Sequence, residues 1–183
     1  MRIAIINGEP DAASPFNDYQ LAFTDRLRGS GHTVASLQLR ELDLKGCSGC
    51  WGCWVKTPGL CAKRDDSELV CRALLAADLV VWASPVIMGF TSALTKRAQD
   101  QMIPLVHPYF EIEGGEMHHR ARYERYPRFA LLLAPGPGTD AEDIEITRTI
   151  WARTARNLKS ELAFTAVSAI PAEEAADELA SVA

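Results

Sequence analysis

Four of the chain's five cysteines fall in "GCSGCWGCWVKTPGLC", from Gly46 to Cys61. Cys47, Cys50, Cys53 and Cys61 follow the spacing C-x2-C-x2-C-x7-C. Thiolates spaced this closely can converge on one [4Fe–4S] cluster, with the later cysteine closing the cage. A four-cysteine zinc site is a second reading, although zinc knuckles ordinarily pair two C-x-x-C units. Plain packing is a third: small residues in a Gly-rich turn, with Trp51 and Trp54 filling space. Spacing alone does not separate the first reading from the third. Cys71 falls inside a predicted helix and reads as a buried thiol. His118 and His119 are adjacent, so their side chains diverge on any regular element; they read as solvated residues, not as a joint metal site.

The rest of the chain sets the context for that loop. Its 183 residues fit one domain, 1–183, long enough to bury a full core. Nineteen basic and 24 acidic side chains leave a net charge of −5. That balance offers no basic footprint for nucleic acid or an anionic membrane. No apolar run reaches the length of a membrane-spanning helix. No signal peptide is read ahead of the first strand-like run at Arg2, so a cytoplasmic location is expected. There, clustered cysteines serve as ligands or redox groups more often than as disulfides.

Short apolar runs alternate with amphipathic stretches. "RIAIIN" reads as a strand buried on both faces. A helix follows, with Asn17 as its predicted cap, then a second strand, "HTVASLQL", and then the cysteine loop. A helix opens near Asp65, Asp66 or Ser67, and "LVVWASP" is a third strand closed by Pro85. Thr91 or Ser92 caps the next helix, with Lys96 and Arg97 as ordinary surface charges on it. "RFALLLAP", a long helix, "ELAFTAVSAI" and a short acidic helix complete the chain. Strands alternating with helices predict a doubly wound parallel sheet. One stretch, 104–127, reads as an irregular insertion, either a lid or a dimer contact.

Ligands of such sheets lie outside the carboxyl ends of the strands, at the switch point. Three loops end there: Gly8–Asn17, Ser84–Phe90 and Pro135–Asp140. They are rich in small and turn-forming residues, which let backbone approach a ligand. The first is "NGEPDAASPFND", without a G-x-G-x-x-G pattern. Backbone N–H groups at the following helix start, with Ser14 and Asn17, are candidate phosphate donors. Glu9 and Asp11 oppose that role, because carboxylates repel a phosphate dianion.

The motif order is similar to that of the flavodoxin-like NAD(P)H-dependent FMN reductases, in the branch with a cysteine-rich loop that includes iron–sulfur flavoproteins. The residues carrying the resemblance run from Met1 to about Pro135. They are Cys47, Gly49, Cys50, Cys53, Cys61, Asp65, Asp66, Ala77, Asp78, Ser84, Pro85, Val86, Gly89, Ser92, Leu94, Lys96 and Asp100. The resemblance implies a five-stranded parallel sheet of order 2-1-3-4-5 with helices on both faces. It implies FMN as cofactor and NAD(P)H as substrate. Gly8, Ser14, Phe16 and Asn17 would hold the phosphate. Ser84, Pro85, Val86, Ile87, Met88 and Gly89 would line the ring, and Pro135, Gly136 and Gly138 would border its other side.

The resemblance implies hydride transfer from nicotinamide through the flavin to a small acceptor such as a quinone or a second flavin. No separate catalytic side chain is needed. Backbone N–H groups at Ile87–Gly89, Gly136 and Gly138 would stabilise charge on the reduced ring. A homodimer is expected, with no nucleic-acid or membrane partner. An alternative reading is an electron carrier between protein partners, with a cluster at Cys47, Cys50, Cys53 and Cys61 beside the flavin. Glu9 and Asp11 stand where Ser and Arg are common in the family, which motivates a further alternative, a relative without flavin.

Overall fold

The computed structural model describes residues 1–182. Strands β1 (Arg2–Asn7), β2 (Thr33–Gln38), β3 (Leu79–Ile87), β7 (Arg128–Pro135) and β8 (Leu162–Val167) pair in parallel in the order β2-β1-β3-β7-β8. Counting these five alone gives the expected 2-1-3-4-5. A short strand, β4 (Phe90–Thr91), turns back antiparallel on β3. β5 (Val106–Glu113) and β6 (Glu116–Ala121) form a separate two-stranded ribbon.

Side-chain alternation along the central strands divides the core into two layers. A short helix, α2 (Gly52–Val55), lies within the cysteine loop. Ala4, Ile6, Val80, Trp82, Leu131 and Leu133 face α3 (Ser67–Ala76), α4 (Ala93–Asp100) and α5 (Ala141–Asn157). Ile3, Ile5, Leu79, Val81 and Leu132 face α1 (Pro15–Gly29) and α6 (Ala172–Val182). A strand with apolar residues at successive positions has no polar face, so it must be covered on both sides. Trp82 packs on Trp151 with ring centroids 4.9 Å apart, and both are fully buried. Each large side chain buried in this way contributes about 1.5–3 kcal/mol. The result is the flavodoxin-like α/β arrangement.

Three local expectations need correction. The first helix is capped by Ser14, whose Oγ accepts from Phe16 N, and not by Asn17. Pro15 takes the first helical position, where its missing N–H costs nothing. The third strand does not stop at Pro85; it continues to Ile87, and Pro85 pairs with Ala134 of β7. The stretch 104–127 is not irregular. It holds the β5–β6 ribbon, turned by Gly114 and Gly115 at φ 58° and 82°. Positive φ at both central residues is what a tight two-residue hairpin turn requires.

Candidate functional site

β1, β3 and β7 end side by side, and hydrogen bonds lock the loop after β1 to the end of β3 and the start of α4. Ser84, fully buried, accepts from Ser92 N at 2.9 Å and donates to the Pro85 carbonyl at 2.9 Å. The Ser92 hydroxyl donates to the Gly8 carbonyl at 2.5 Å, and its oxygen accepts from Thr95 N, capping α4. Gly8 N in turn donates to Ala83 O at 2.8 Å. Loop one, strand β3 and helix α4 thus form one rigid unit. Only Ser92 signalled this in the sequence, as a predicted cap.

The glycines here serve close approach, but of chain to chain. A Cβ on Gly8 would meet Thr95 Oγ1 at 1.8 Å. A Cβ on Gly136 would meet the Val86 carbonyl oxygen at 2.6 Å. At both positions the missing side chain makes room for a neighbouring part of the chain itself. The Gly136 N–H is also spent, donating to Thr139 Oγ1 at 3.0 Å. Pro135 and Gly138 are exposed beyond it, and Asp140 closes the loop as the cap of α5 in a reciprocal pair with Asp143.

The ring-side loop differs in character. Met88 and Gly89 make the β3–β4 turn with φ 51° and 77°. Val86 is buried, Ile87 is 47% exposed and Met88 is 99% exposed. The protein thus holds two apolar side chains in solvent at the end of β3. A flat apolar ring system fits such a surface, because covering it removes apolar area from water.

A phosphate dianion does not fit the first loop as folded. Glu9 N donates to Asn7 Oδ1, Asp11 N to Glu9 Oε1 and Ala13 N to Asp11 Oδ1, each at 2.9 Å. Ser14 N is taken by the Asp11 carbonyl. Four backbone donors of the loop are thus already bonded, two of them by the loop's own carboxylates. The Asn17 amide donates to the carbonyls of Asp11, Ala12 and Ser14, and its oxygen accepts from Asn7 and Arg40. Asn17 therefore shapes the loop from inside. Phe16 lies in the core, stacked with Tyr19. Ser14 Oγ accepts from Phe16 N as the cap, and its O–H remains as a donor. Of the predicted phosphate residues, none offers a free backbone donor here among those named.

Away from this edge, Cys47, Cys50, Cys53 and Cys61 line one cavity of about 350 Å³ with Trp51, Lys63, Gln101 and Ile103. Cys47 and Cys50 are exposed, and Cys53 is buried. The Cys50 thiol is lowered chiefly by the Gly52 N–H, then by the Ser48 hydroxyl. Burial pushes the Cys53 thiol up, and its three sister thiols add to that. Among the described residues, no group of three or more His, Cys, Asp or Glu side chains is arranged to hold a metal ion. Cys71 is buried as expected, and burial pushes its thiol up to about 12.

A groove of about 580 Å³ runs between the ribbon and helices α4 and α5. The expectation of two solvated histidines fails there. They do diverge, but His118 is 3% exposed and bonds Asn157 Oδ1 at 2.8 Å and Glu116 Oε2 at 3.1 Å. His119 packs between Trp54 and Phe110. Lys96 pairs with Asp100 on the helix surface, as expected, whereas Arg97 donates to the Leu44 carbonyl at 2.9 Å and ties α4 to the segment before the cysteine loop.

No curated protein sequence matches the chain. Solved structures resemble it in fold. An FMN-dependent NADH-azoreductase from Bacillus anthracis, in complex with FMN, superposes with a TM-score of 0.66 at 16% identity, covering 98% of this chain and 100% of its own. A second azoreductase from Bacillus anthracis gives 0.66 at 15% identity, with coverage of 100% and 92%. An NAD(P)H:quinone oxidoreductase from Methanothermobacter marburgensis gives 0.61 at 17%, with coverage of 98% and 92%. At such identities these neighbours speak for fold alone. Residues 1–120 match the family described as NADPH-dependent FMN reductase, and by that match, on this fold and strand-end geometry, the chain belongs to that family.

Proposed function

We propose that the chain is an NAD(P)H oxidoreductase that works with a flavin at the carboxyl edge of β1, β3 and β7 and passes reducing equivalents to a small acceptor such as a quinone or a second flavin. Family membership carries the reaction class. The observation that carries the location is the β3–β4 turn, where Ile87 and Met88 stand exposed on a rigid frame. A bound flavin supplies two-electron exchange between nicotinamide and acceptor. The chain's own residues supply position and dryness. Ser84 and Ser92 fix the first loop against β3 and α4, and Thr139 holds the third loop closed on itself. Ile87 and Met88 cover an apolar ring and exclude water from it. The test is nicotinamide oxidation, with NADH and NADPH separately, in the presence of flavins and quinones. No oxidation with any pair would overturn the reading.

The reading places the chain where NAD(P)H is held, in the cytoplasm; no helix of the described residues is long and apolar enough to cross a membrane. It also includes a homodimer. The support is the outer face of the ribbon, where Phe110, Ile112 and Met117 are 55%, 70% and 65% exposed on two adjacent strands. Solution mass tests it, with Ile112→Lys as the variant expected to give monomer.

A second reading, an electron carrier with an iron–sulfur cluster, is favoured by one observation: the four loop cysteines share a single cavity. Iron and sulfide analysis of anaerobically purified protein tests it, and protein free of both would overturn it.

A further inference from the structure

We propose that Glu9 and Asp11 make this chain select a flavin without its phosphate, so that riboflavin binds at least as tightly as FMN. The inference rests on the flavin reading above and specifies the ligand. FMN is riboflavin plus a phosphate monoester at the end of the ribityl chain, so one group separates the two ligands. In the loop that would receive that group, two backbone donors are already taken by carboxylates.

The bonding is specific. Glu9 is 5% exposed, and its Oε1 accepts from Asp11 N. Asp11 Oδ1 accepts from Ala13 N. Each carboxylate therefore occupies a backbone donor of the kind that a phosphate oxygen would take. A dianion entering here would have to break both bonds and would then lie beside two displaced carboxylates. The repulsion is strongest at buried Glu9, where water is partly excluded, and weaker at exposed Asp11, where solvent screens it. A neutral ribityl chain reverses the sign of the interaction. Its hydroxyls are donors, and an ionised carboxylate keeps further acceptor positions after accepting one N–H.

The positive charge nearest the loop does not restore a phosphate site. Arg40 is four-fifths buried, and its guanidinium donates to Asn17 Oδ1 at 3.0 Å, to Gln38 Oε1 at 2.8 Å and to the Glu9 carbonyl at 3.4 Å. It also lies 3.8 Å from Glu41. Arg40 thus holds the loop in its self-bonded shape. The start of α1 adds a partial positive charge, but Ser14 closes it with its own oxygen.

The experiment is titration of the purified chain with riboflavin and with FMN, followed by flavin fluorescence at low and high salt. The wild-type chain is expected to bind riboflavin as tightly as FMN or more tightly. FMN affinity should rise with salt, which screens the repulsion, while riboflavin affinity stays constant. The double variant Glu9→Gln, Asp11→Asn keeps an acceptor oxygen at each position and removes both charges. It is expected to shift the preference toward FMN by tenfold or more. Wild-type preference for FMN of tenfold or more, or a variant whose preference does not move, would overturn the proposal and leave the flavin reading standing. Absence of binding by either flavin would overturn both.

Discussion

The Ser92 hydroxyl donates to the Gly8 carbonyl at 2.5 Å, joining residues 84 positions apart. Through Ser92 N and Ser84 the bond continues into β3, so one side chain ties together the first loop, the third strand and the start of α4. Ser92→Ala removes this bond and the helix cap and leaves the Gly8 carbonyl buried without its partner. The expected cost is about 1–3 kcal/mol, read as a lower urea midpoint at unchanged slope. Flavin affinity should fall with it, because the loops lose their common anchor. An unchanged midpoint would mean that the bond is dispensable.

Gly8 tests the same junction from the other side. Gly8→Ala drives a Cβ to 1.8 Å from Thr95 Oγ1, so α4 or the loop must shift. Overpacking of this kind costs about 1–3 kcal/mol. Adding Thr95→Ala removes the clashing oxygen and leaves the nearest carbon at 3.1 Å. The double variant should recover part of the loss, with a coupling of about 0.5–3 kcal/mol in a double-mutant cycle. Simple additivity would show that the strain lies elsewhere.

Glu116 fastens the ribbon to α5. It receives Arg153 at 2.7 Å, Arg156 at 3.0 Å and His118 at 3.1 Å. These bonds, Arg153 first, hold its carboxyl down at about 2, below its ordinary 4.5. A depressed carboxyl stabilises the fold above the unfolded value, and that contribution is lost as pH falls through the folded one. Glu116→Gln should therefore melt below wild type at neutral pH, and the gap should close between about pH 4.5 and 2 in scanning calorimetry. A gap that persists at pH 2 would show that packing, not charge, holds the ribbon.

The central sheet was legible because its strands have nothing to hide. "RIAIIN" and "RFALLLAP" are apolar at successive positions, and only cover on both faces satisfies that pattern. The β5–β6 ribbon was missed because Pro108 and a register shift between Val106 and Phe110 break its alternation, although Gly114–Gly115 between "YFEIE" and "EMHHR" carried a hairpin signal. The strand-end loops were placed correctly as a group, since topology alone puts them there. What individual residues do within them was not legible. That Glu9 turns inward and bonds Asp11 N, or that Gly8 is packed against Thr95, depends on contacts set by the fold and not by spacing.

The cysteines differ enough to be separated by chemistry. Cys50 is exposed, with its thiol lowered by the Gly52 N–H, whereas Cys71 is buried with its thiol pushed up to about 12. A thiol raised from an ordinary 9.0 to about 12 carries on the order of a thousandfold less thiolate at neutral pH. Timed alkylation of the folded chain, read by peptide mass, should label Cys50 first and Cys71 last. Equal rates would mean that the loop and helix α3 open together.

Met88 combines two costs in one residue. It sits at φ 51°, a left-handed conformation that costs an ordinary L-residue about 1–2 kcal/mol, and its apolar side chain is 99% exposed. Neither cost helps folding. Met88→Asn would place Asn-Gly in the turn, the pair best suited to positive φ at both positions. The variant should be more stable by about 0.5–1 kcal/mol, raising Tm by about 2–3 °C. If Met88 is kept for the ring, the same change should weaken flavin binding several-fold, because it removes apolar cover at the edge of the site. Stability gained with no loss of binding would separate the strained turn from the ligand. Gain and loss together would mark the strain as the cost of holding an apolar surface open for a flavin.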